Sequence, residues 1–287
     1  MSAYFELLRV YQYTKNLFIF LPLFFAFRIT DGEQLLAAGL AFVAFSLVAS
    51  AIYIINDFRD RDDDRRHPEK QHRPLASGRA APGPALALAA ALLVAGGALM
   101  ASVALAALWL TVAYVALNGL YSLGLKHVAI VDIVFIATGF VIRLLVGAEV
   151  TGVPLSEWII VMTFLLALFL SLAKRREDVL IFLKTDQKAR RSVDGYNLPF
   201  LDAALVMTAA IVVLAYVLWS LTPEVALRMG ERVYLTAVFV VLGVLRYMQI
   251  TLVEERSGNP ARILLRDRFL QAVLLGWFGA FVWLLYL

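Results

Sequence analysis

Residues 35–64 read LLAAGLAFVAFSLVASAIYIINDFRDRDDD, an uncharged apolar run from Leu35 to Ile55 that passes without a turn signal into a dense patch of charge. A helix crosses a hydrocarbon core about 30 Å thick with roughly 20 mainly apolar residues, and residues 35–55 meet that requirement. The core of the charged patch is Asn56, Asp57, Asp60 and Asp64, spaced N-D-x-x-D-x-x-x-D. If the helix continues past the apolar run, each residue advances about 100°, which places these four at about 0°, 100°, 40° and 80° on one stripe, with Asp62 near 240°. Carboxylates crowded on one face repel one another unless a cation sits among them. Hard oxygen donors of this kind suit Mg²⁺, which is typically held by one or two carboxylates together with substrate phosphates. An EF-hand Ca²⁺ loop would need a central Gly and a terminal Glu, which this stretch lacks.

The rest of the chain repeats the apolar pattern. Of 287 residues 62% are hydrophobic and 17% charged, against about 45–50% and 25% in an average soluble domain. Mean hydropathy is +0.80. This argues against a soluble enzyme and against disorder. With no Cys there is no thiolate nucleophile, thiolate zinc site or disulfide, and His67, His72 and His127 are assigned no chemistry. Nine spans are expected, at about residues 14–30, 35–55, 85–106, 108–125, 128–147, 158–173, 198–221, 233–253 and 269–287. The fold class is an all-α integral membrane protein forming one polytopic domain over residues 1–287. Arg9 and Lys15 interrupt the start of the chain, and no small-residue pattern follows its apolar run, so no cleavable signal peptide is expected.

Nine spans place the N-terminus, segments 56–84, 126–127, 174–197 and 254–268 on one side, with 21 of the 26 Lys and Arg residues. Arg28, Arg228 and Arg232 lie near the other side. The bias puts the N-terminus and the loaded loops in the cytoplasm. The net charge of +4 therefore reflects membrane topology and attraction to anionic lipid, and no nucleic-acid partner is expected.

The N-D-x-x-D-x-x-x-D motif after the second span resembles the first acidic motif of the UbiA superfamily of intramembrane prenyltransferases. Arg73-Pro74-Leu75-Ala76-Ser77-Gly78 is similar to that family's R-P-L-x-S-G segment. The resemblance covers essentially the whole chain and implies nine helices around a central cavity. Typical members carry a second D-x-x-x-D motif after the sixth helix. Here that position reads Lys174-Arg175-Arg176-Glu177-Asp178, followed by Lys184, Lys188, Arg190 and Arg191. Together with Arg9-Val-Tyr-Gln12-Tyr13-Thr-Lys15-Asn16, similar to R-P-x-Q-W-x-K-N, and Tyr121-Ser-Leu-Gly-Leu125-Lys126, similar to Y-x-x-x-L-K, this resembles one branch. Its members join phosphoribosyl diphosphate (PRPP) to a polyprenyl (decaprenyl) phosphate and release pyrophosphate, in the inner membrane of bacteria, for ribosyl or arabinosyl lipid donors of the cell envelope.

A charge argument points the same way. A prenyl transfer brings one diphosphate into the site, which two acidic motifs can hold through metal ions. A phosphoribosyl transfer to a lipid phosphate brings together a diphosphate, a sugar 5-phosphate and the lipid phosphate. The additional anions call for Lys and Arg, with Arg favoured for bidentate contact. On this reading Asn56, Asp57, Asp60 and Asp64 are the Mg²⁺ ligands. Lys15, Lys70, Arg73, Lys126, Lys174 and Arg175, at the predicted cytoplasmic ends of spans, are the phosphate contacts. Asp57, Asp60 and Lys174 are the expected catalytic residues. Tyr53, three residues before Asn56, either contacts the ribose or packs. Glu177 either binds a ribose hydroxyl or orients Arg175 or Lys174. Arg143 lies inside the fifth span, where an ionisable residue is a functional candidate; it either reaches a phosphate or pairs with Asp132 or Glu149. The competing functions are prenyl transfer from a prenyl diphosphate to an aromatic acceptor, and transport, for which no paired repeat is evident.

Overall fold

The computed structural model describes residues 3–65, 70–185, 191–256 and 260–286. Among them every regular element is a helix. In chain order the α-helices are α1 (Ala3–Leu7), α2 (Leu21–Phe25), α3 (Gly32–Arg59), α4 (Arg61–Asp64), α5 (Pro82–Val103), α6 (Leu105–Leu123), α7 (Val131–Thr151), α8 (Glu157–Thr185), α9 (Leu198–Ser220), α10 (Pro223–Met229), α11 (Ala237–Leu252), α12 (Pro260–Arg266) and α13 (Arg268–Tyr286). Short 3₁₀ helices lie between them, the longest at Val10–Phe20.

Local chemistry sets the ends. Asp31 caps α3 by accepting from the Gln34 N–H at 3.3 Å, and Asn197 caps α9 by accepting from the Phe200 N–H at 2.8 Å, each satisfying a donor that the first turn leaves unpaired. Helices α5, α9 and α10 start with a proline in their first turn, where the missing N–H costs nothing. Between α5 and α6 the chain turns on Ala104 alone, in extended conformation at φ −158° and ψ 125°, so this break needs no polar loop.

Seven helices among the described residues are long and apolar enough to cross a membrane. They correspond to the expected spans from residue 35 to residue 253. The expected last span is the apolar helix α13, and the expected first span is not one α-helix. It runs as the 3₁₀ helix Val10–Phe20 followed by α2. Side chains explain the departure. Buried Asn16 donates to Ser46 Oγ at 2.8 Å, and the Tyr13 and Ser50 hydroxyls bond at 2.9 Å. These contacts to α3 fix the segment in a winding that its apolar pattern does not specify.

Contacts divide the chain into two compact units, Met1–Leu125 with Thr138–Leu155, and Lys126–Ala137 with Ser156–Leu287. In the first, α3 packs along α5 and the 3₁₀ helix Val10–Phe20, over a core that includes Ile19, Leu23, Phe45, Val48, Met100 and Val146. Close approach depends on glycine here. A Cβ on Gly96 would lie 2.7 Å from the Ala44 carbonyl oxygen, and one on Gly147 would lie 2.1 Å from the Ile19 carbonyl oxygen. Because the obstacle is backbone, Gly147→Ala is expected to destabilise the protein by at least about 1–3 kcal/mol. The measurement is the melting temperature in detergent; an unchanged value would contradict this packing. In the second unit, α8 lies against α9 and α11 against α13, around Phe169, Leu172, Leu205 and Tyr247.

Candidate active site

The acidic motif straddles the end of α3. The helix stops at Arg59, but the backbone ladder continues: the Asp60 N–H donates to the Asn56 carbonyl at 2.9 Å, and the Asp64 N–H to the Asp60 carbonyl at 2.8 Å. Asn56, Asp60 and Asp64 thus follow one another at successive turns. Asp57 and Asp64 are 3% and 4% exposed, whereas the Asp62 side chain is 68% exposed and pairs with Arg65 at 3.0 Å. The stripe and its outward-pointing exception both exist in the fold.

Two buried carboxylates require cationic partners. Arg73 Nη1 lies 3.1 Å from Asp57 Oδ1 and 2.8 Å from Asp64 Oδ2, so one guanidinium nitrogen is shared between both acids. Arg9 Nη2 lies 2.5 Å from the same Asp57 oxygen. The Arg9 guanidinium is also 5.3 Å from the centre of the Tyr53 ring, and Arg9 has a left-handed backbone at φ 51°. Burial pushes the Asp64 carboxyl above the usual range, partly opposed by Arg73 beside it. Asn56 is oriented by Ser122, whose hydroxyl donates to its side-chain oxygen.

Among the described residues no three His, Asp or Glu side chains converge as a ready metal cage. The donor set nevertheless fits Mg²⁺. The ion needs only one or two carboxylates when phosphates complete its shell, and Asp57 and Asp64 already share one cation, the Arg73 guanidinium.

The basic segment after the sixth span is helical rather than a loop as far as Thr185, since α8 continues through it. Lys174 and Glu177 are half-buried there. Arg175 departs from the expected phosphate contact. It is 1% exposed, donates from Nε to Asp132 Oδ2 at 2.6 Å and pairs from Nη1 with Asp178. Asp132 is fully buried and also accepts from Ser192 Oγ at 3.2 Å and from the Tyr196 hydroxyl at 2.7 Å. Burial and the bond to Asp132 push the Tyr196 phenol well above its usual range. Arg175 therefore fastens α8 to the start of α7 and to the 3₁₀ turn Arg191–Gly195. Its neighbour Arg176 is likewise committed, to Asp202 at 2.6 Å and to the Thr251 carbonyl at 2.9 Å.

Arg143 pairs with neither Asp132 nor Glu149. It is 4% exposed, and its described hydrogen-bond partners are neutral: Asn16 Oδ1 at 2.8 Å, the Gly139 carbonyl at 2.7 Å and the Tyr114 hydroxyl at 2.8 Å. The rings of Phe45, Tyr114 and Phe140 surround its guanidinium at 4.7–5.5 Å. Through Asn16 it fixes the 3₁₀ segment that carries exposed Lys15. Lys70 and Lys126 lie on short 3₁₀ turns, Lys70–His72 and Leu125–His127. Arg66, His67, Lys188 and Arg190 lie outside the described residues, as does the side chain of Arg191. The roles of Arg9, Ser122 and Tyr196 are not singled out by the sequence, although Arg9 and Ser122 fall inside motif segments; Asp132 is a candidate ion-pair residue there, but its partner is Arg175 rather than Arg143.

Residues 17–275 match the model of the UbiA prenyltransferase family. The chain belongs to this family. The decaprenyl-phosphate phosphoribosyltransferase of Corynebacterium glutamicum is 31% identical over 98% of this chain and 86% of its own length. The one from Mycobacterium tuberculosis is 34% identical over 85% and 80%. A UbiA homolog from Archaeoglobus fulgidus, solved with GPP and Mg²⁺, superposes with a TM-score of 0.74 at 21% identity, over 98% of this chain and 99% of that one. The fold is thus that of UbiA proteins, and the relative matched over 98% of the chain is a phosphoribosyltransferase.

Proposed function

We propose that this UbiA-family protein transfers the 5-phosphoribosyl group of PRPP to a polyprenyl phosphate such as decaprenyl phosphate. The observation that carries this is the 31% identity to a decaprenyl-phosphate phosphoribosyltransferase over 98% of the chain. The charge inventory supports it: an acidic motif at the end of α3, and Lys174 with two committed arginines where a second acidic motif would be needed for two metal ions.

In the reaction the bond from the anomeric carbon to the diphosphate oxygen breaks, and a bond from that carbon to a lipid phosphate oxygen forms. Pyrophosphate leaves with the electron pair. The lipid phosphate has a second pKa near 6 and arrives largely ionised, so no general base is required, in keeping with a chain of three His. Attack from the face opposite the leaving group inverts the anomeric centre. Asn56, Asp57, Asp60 and Asp64 would hold Mg²⁺, which supplies Lewis-acid neutralisation of the departing diphosphate. Lys15, Lys70, Lys126 and Lys174 bind phosphate oxygens, and Tyr53 and Glu177 serve the ribose. Arg143 holds Asn16, and through it the segment of Lys15, while Arg175 holds the helix that carries Lys174. The oriented charges stabilise an oxocarbenium-like transition state. The reaction belongs to the cytoplasmic face of a bacterial inner membrane.

The test is donor choice. Membranes containing the protein are given polyprenyl phosphate with PRPP, or prenyl diphosphate with 4-hydroxybenzoate, each with and without a chelator of divalent cations. Phosphoribosyl lipid formed from the first pair and lost with the chelator is the expected result. Prenylated aromatic acid from the second pair would overturn it.

A further inference from the structure

The acidic motif already holds cations of its own, and their placement carries a consequence for how substrate enters. Asp57 and Asp64 are almost fully buried, but the side chains of Arg73 and Arg9 that neutralise them are 30% and 18% exposed. The backbone under Arg73 is firmly held. Its carbonyl accepts from the Ser77 N–H at 2.9 Å and from Ser77 Oγ at 2.9 Å. Leu75, Ala76 and Ala80 beside it are buried, and Gly78 completes the turn at φ 77°. A fixed backbone with a long, partly exposed side chain can exchange partners without refolding the turn. Guanidinium groups bind carboxylate and phosphate with the same fork of donors.

Asp57 is paired with both Arg9 and Arg73, and Asp64 with Arg73, while Lys70 adds a further positive charge near Asp64. A divalent cation entering between the carboxylates competes with Arg73 Nη1 for the same two oxygens. The displaced guanidinium then needs a new anion, and a diphosphate on the cation supplies one. We propose that Arg73, with Arg9, is the exchangeable counter-ion of the acidic motif. It holds Asp57 and Asp64 in the resting protein, yields them to a divalent cation, and transfers its N–H donors to the diphosphate. This rests on the proposed use of PRPP for the identity of the diphosphate, but the competition with cation does not. Two consequences follow from reciprocity of linked binding. The resting protein discriminates against cation without diphosphate, and removing Arg73 has opposite effects on the two ligands.

The experiment uses the purified full chain in detergent with Mn²⁺ as probe, counted by electron paramagnetic resonance. Without any phosphate ligand, Arg73→Gln is expected to bind Mn²⁺ about fivefold or more tightly than the unmodified protein. Arg73→Lys, which keeps the charge, should stay near the unmodified value. PRPP binding at saturating Mn²⁺, followed by calorimetry without lipid acceptor, should weaken at least about tenfold in Arg73→Gln. Unchanged or weaker Mn²⁺ binding in Arg73→Gln would overturn the competition, as expected of an ordinary salt bridge. Unchanged PRPP binding would overturn the transfer. If the unmodified protein binds no PRPP, the functional reading fails, while the Mn²⁺ comparison still decides the competition. If Arg73→Gln does not fold, the structure of the unmodified protein with Mn²⁺ and pyrophosphate decides. Arg73 bonded to a diphosphate oxygen and separated from Asp57 is the expected result, and Arg73 still bridging the two carboxylates is the contrary one.

Discussion

Asp57→Ala is expected to lower Mg²⁺-dependent turnover by about 100- to 1000-fold or more, with the protein still monodisperse in detergent. Asp57 is the point where the motif's cations converge: its Oδ1 receives both Arg9 and Arg73. Removing it takes a ligand from the proposed metal site and leaves Arg9 without its described carboxylate partner. Asp62→Ala serves as control. That side chain is exposed and its partners Arg61 and Arg65 are surface residues, where ion pairs contribute about 0–1 kcal/mol. Its activity should stay within about twofold. Near-normal Mg²⁺-dependent activity in Asp57→Ala would remove the metal assignment. Equal losses in both variants would show that the motif acts through general charge rather than through its buried face.

The second large effect separates two adjacent residues. Lys174→Ala should leave the fold intact and lower kcat/KM for PRPP by roughly 30- to 1000-fold, the loss of about 2–4 kcal/mol from a charge-assisted phosphate contact in a partly dehydrated pocket. Arg175→Ala should instead act on stability. It strands Asp132 and Asp178 as buried carboxylates, and breaking a buried pair by removing one partner costs about 3–5 kcal/mol. Pairing it with Asp132→Asn should recover part of that loss, because one stranded charge is gone. Melting temperature and PRPP kinetics on the same preparations test the contrast. A stable Arg175→Ala protein with a raised KM would return Arg175 to the phosphates.

The contrast also shows where sequence stops being informative. Apolar length gave the long helices α3, α5 to α9 and α11, and the spacing of Asn56, Asp57, Asp60 and Asp64 gave the stripe, with Asp57 and Asp64 buried and Asp62 outside it. Those properties are local, fixed by helical periodicity and hydropathy. The partners of Arg73 and Arg175 are not local. Arg73 is 16 residues from Asp57, and Arg175 is 43 from Asp132. A basic motif looks the same whether its cations await phosphate or are already bound to carboxylate. Arg143 gave a similar ambiguity, resolved by neutral partners on Asn16, Gly139 and Tyr114. The 3₁₀ winding of Val10–Phe20 came from side-chain bonds to α3, which no periodicity encodes.

Phosphoribosyl transfer is tested by following two labels in PRPP with the purified protein, Mg²⁺ and polyprenyl phosphate. One label is placed in the 5-phosphate and the other in the β-phosphate of the diphosphate. The first label is expected in the lipid fraction and the second as free pyrophosphate in equal amount, and both events stop when Mg²⁺ is chelated. A lipid product carrying the β-phosphate label, or no labelled lipid from a protein that prenylates an aromatic acid, would contradict it.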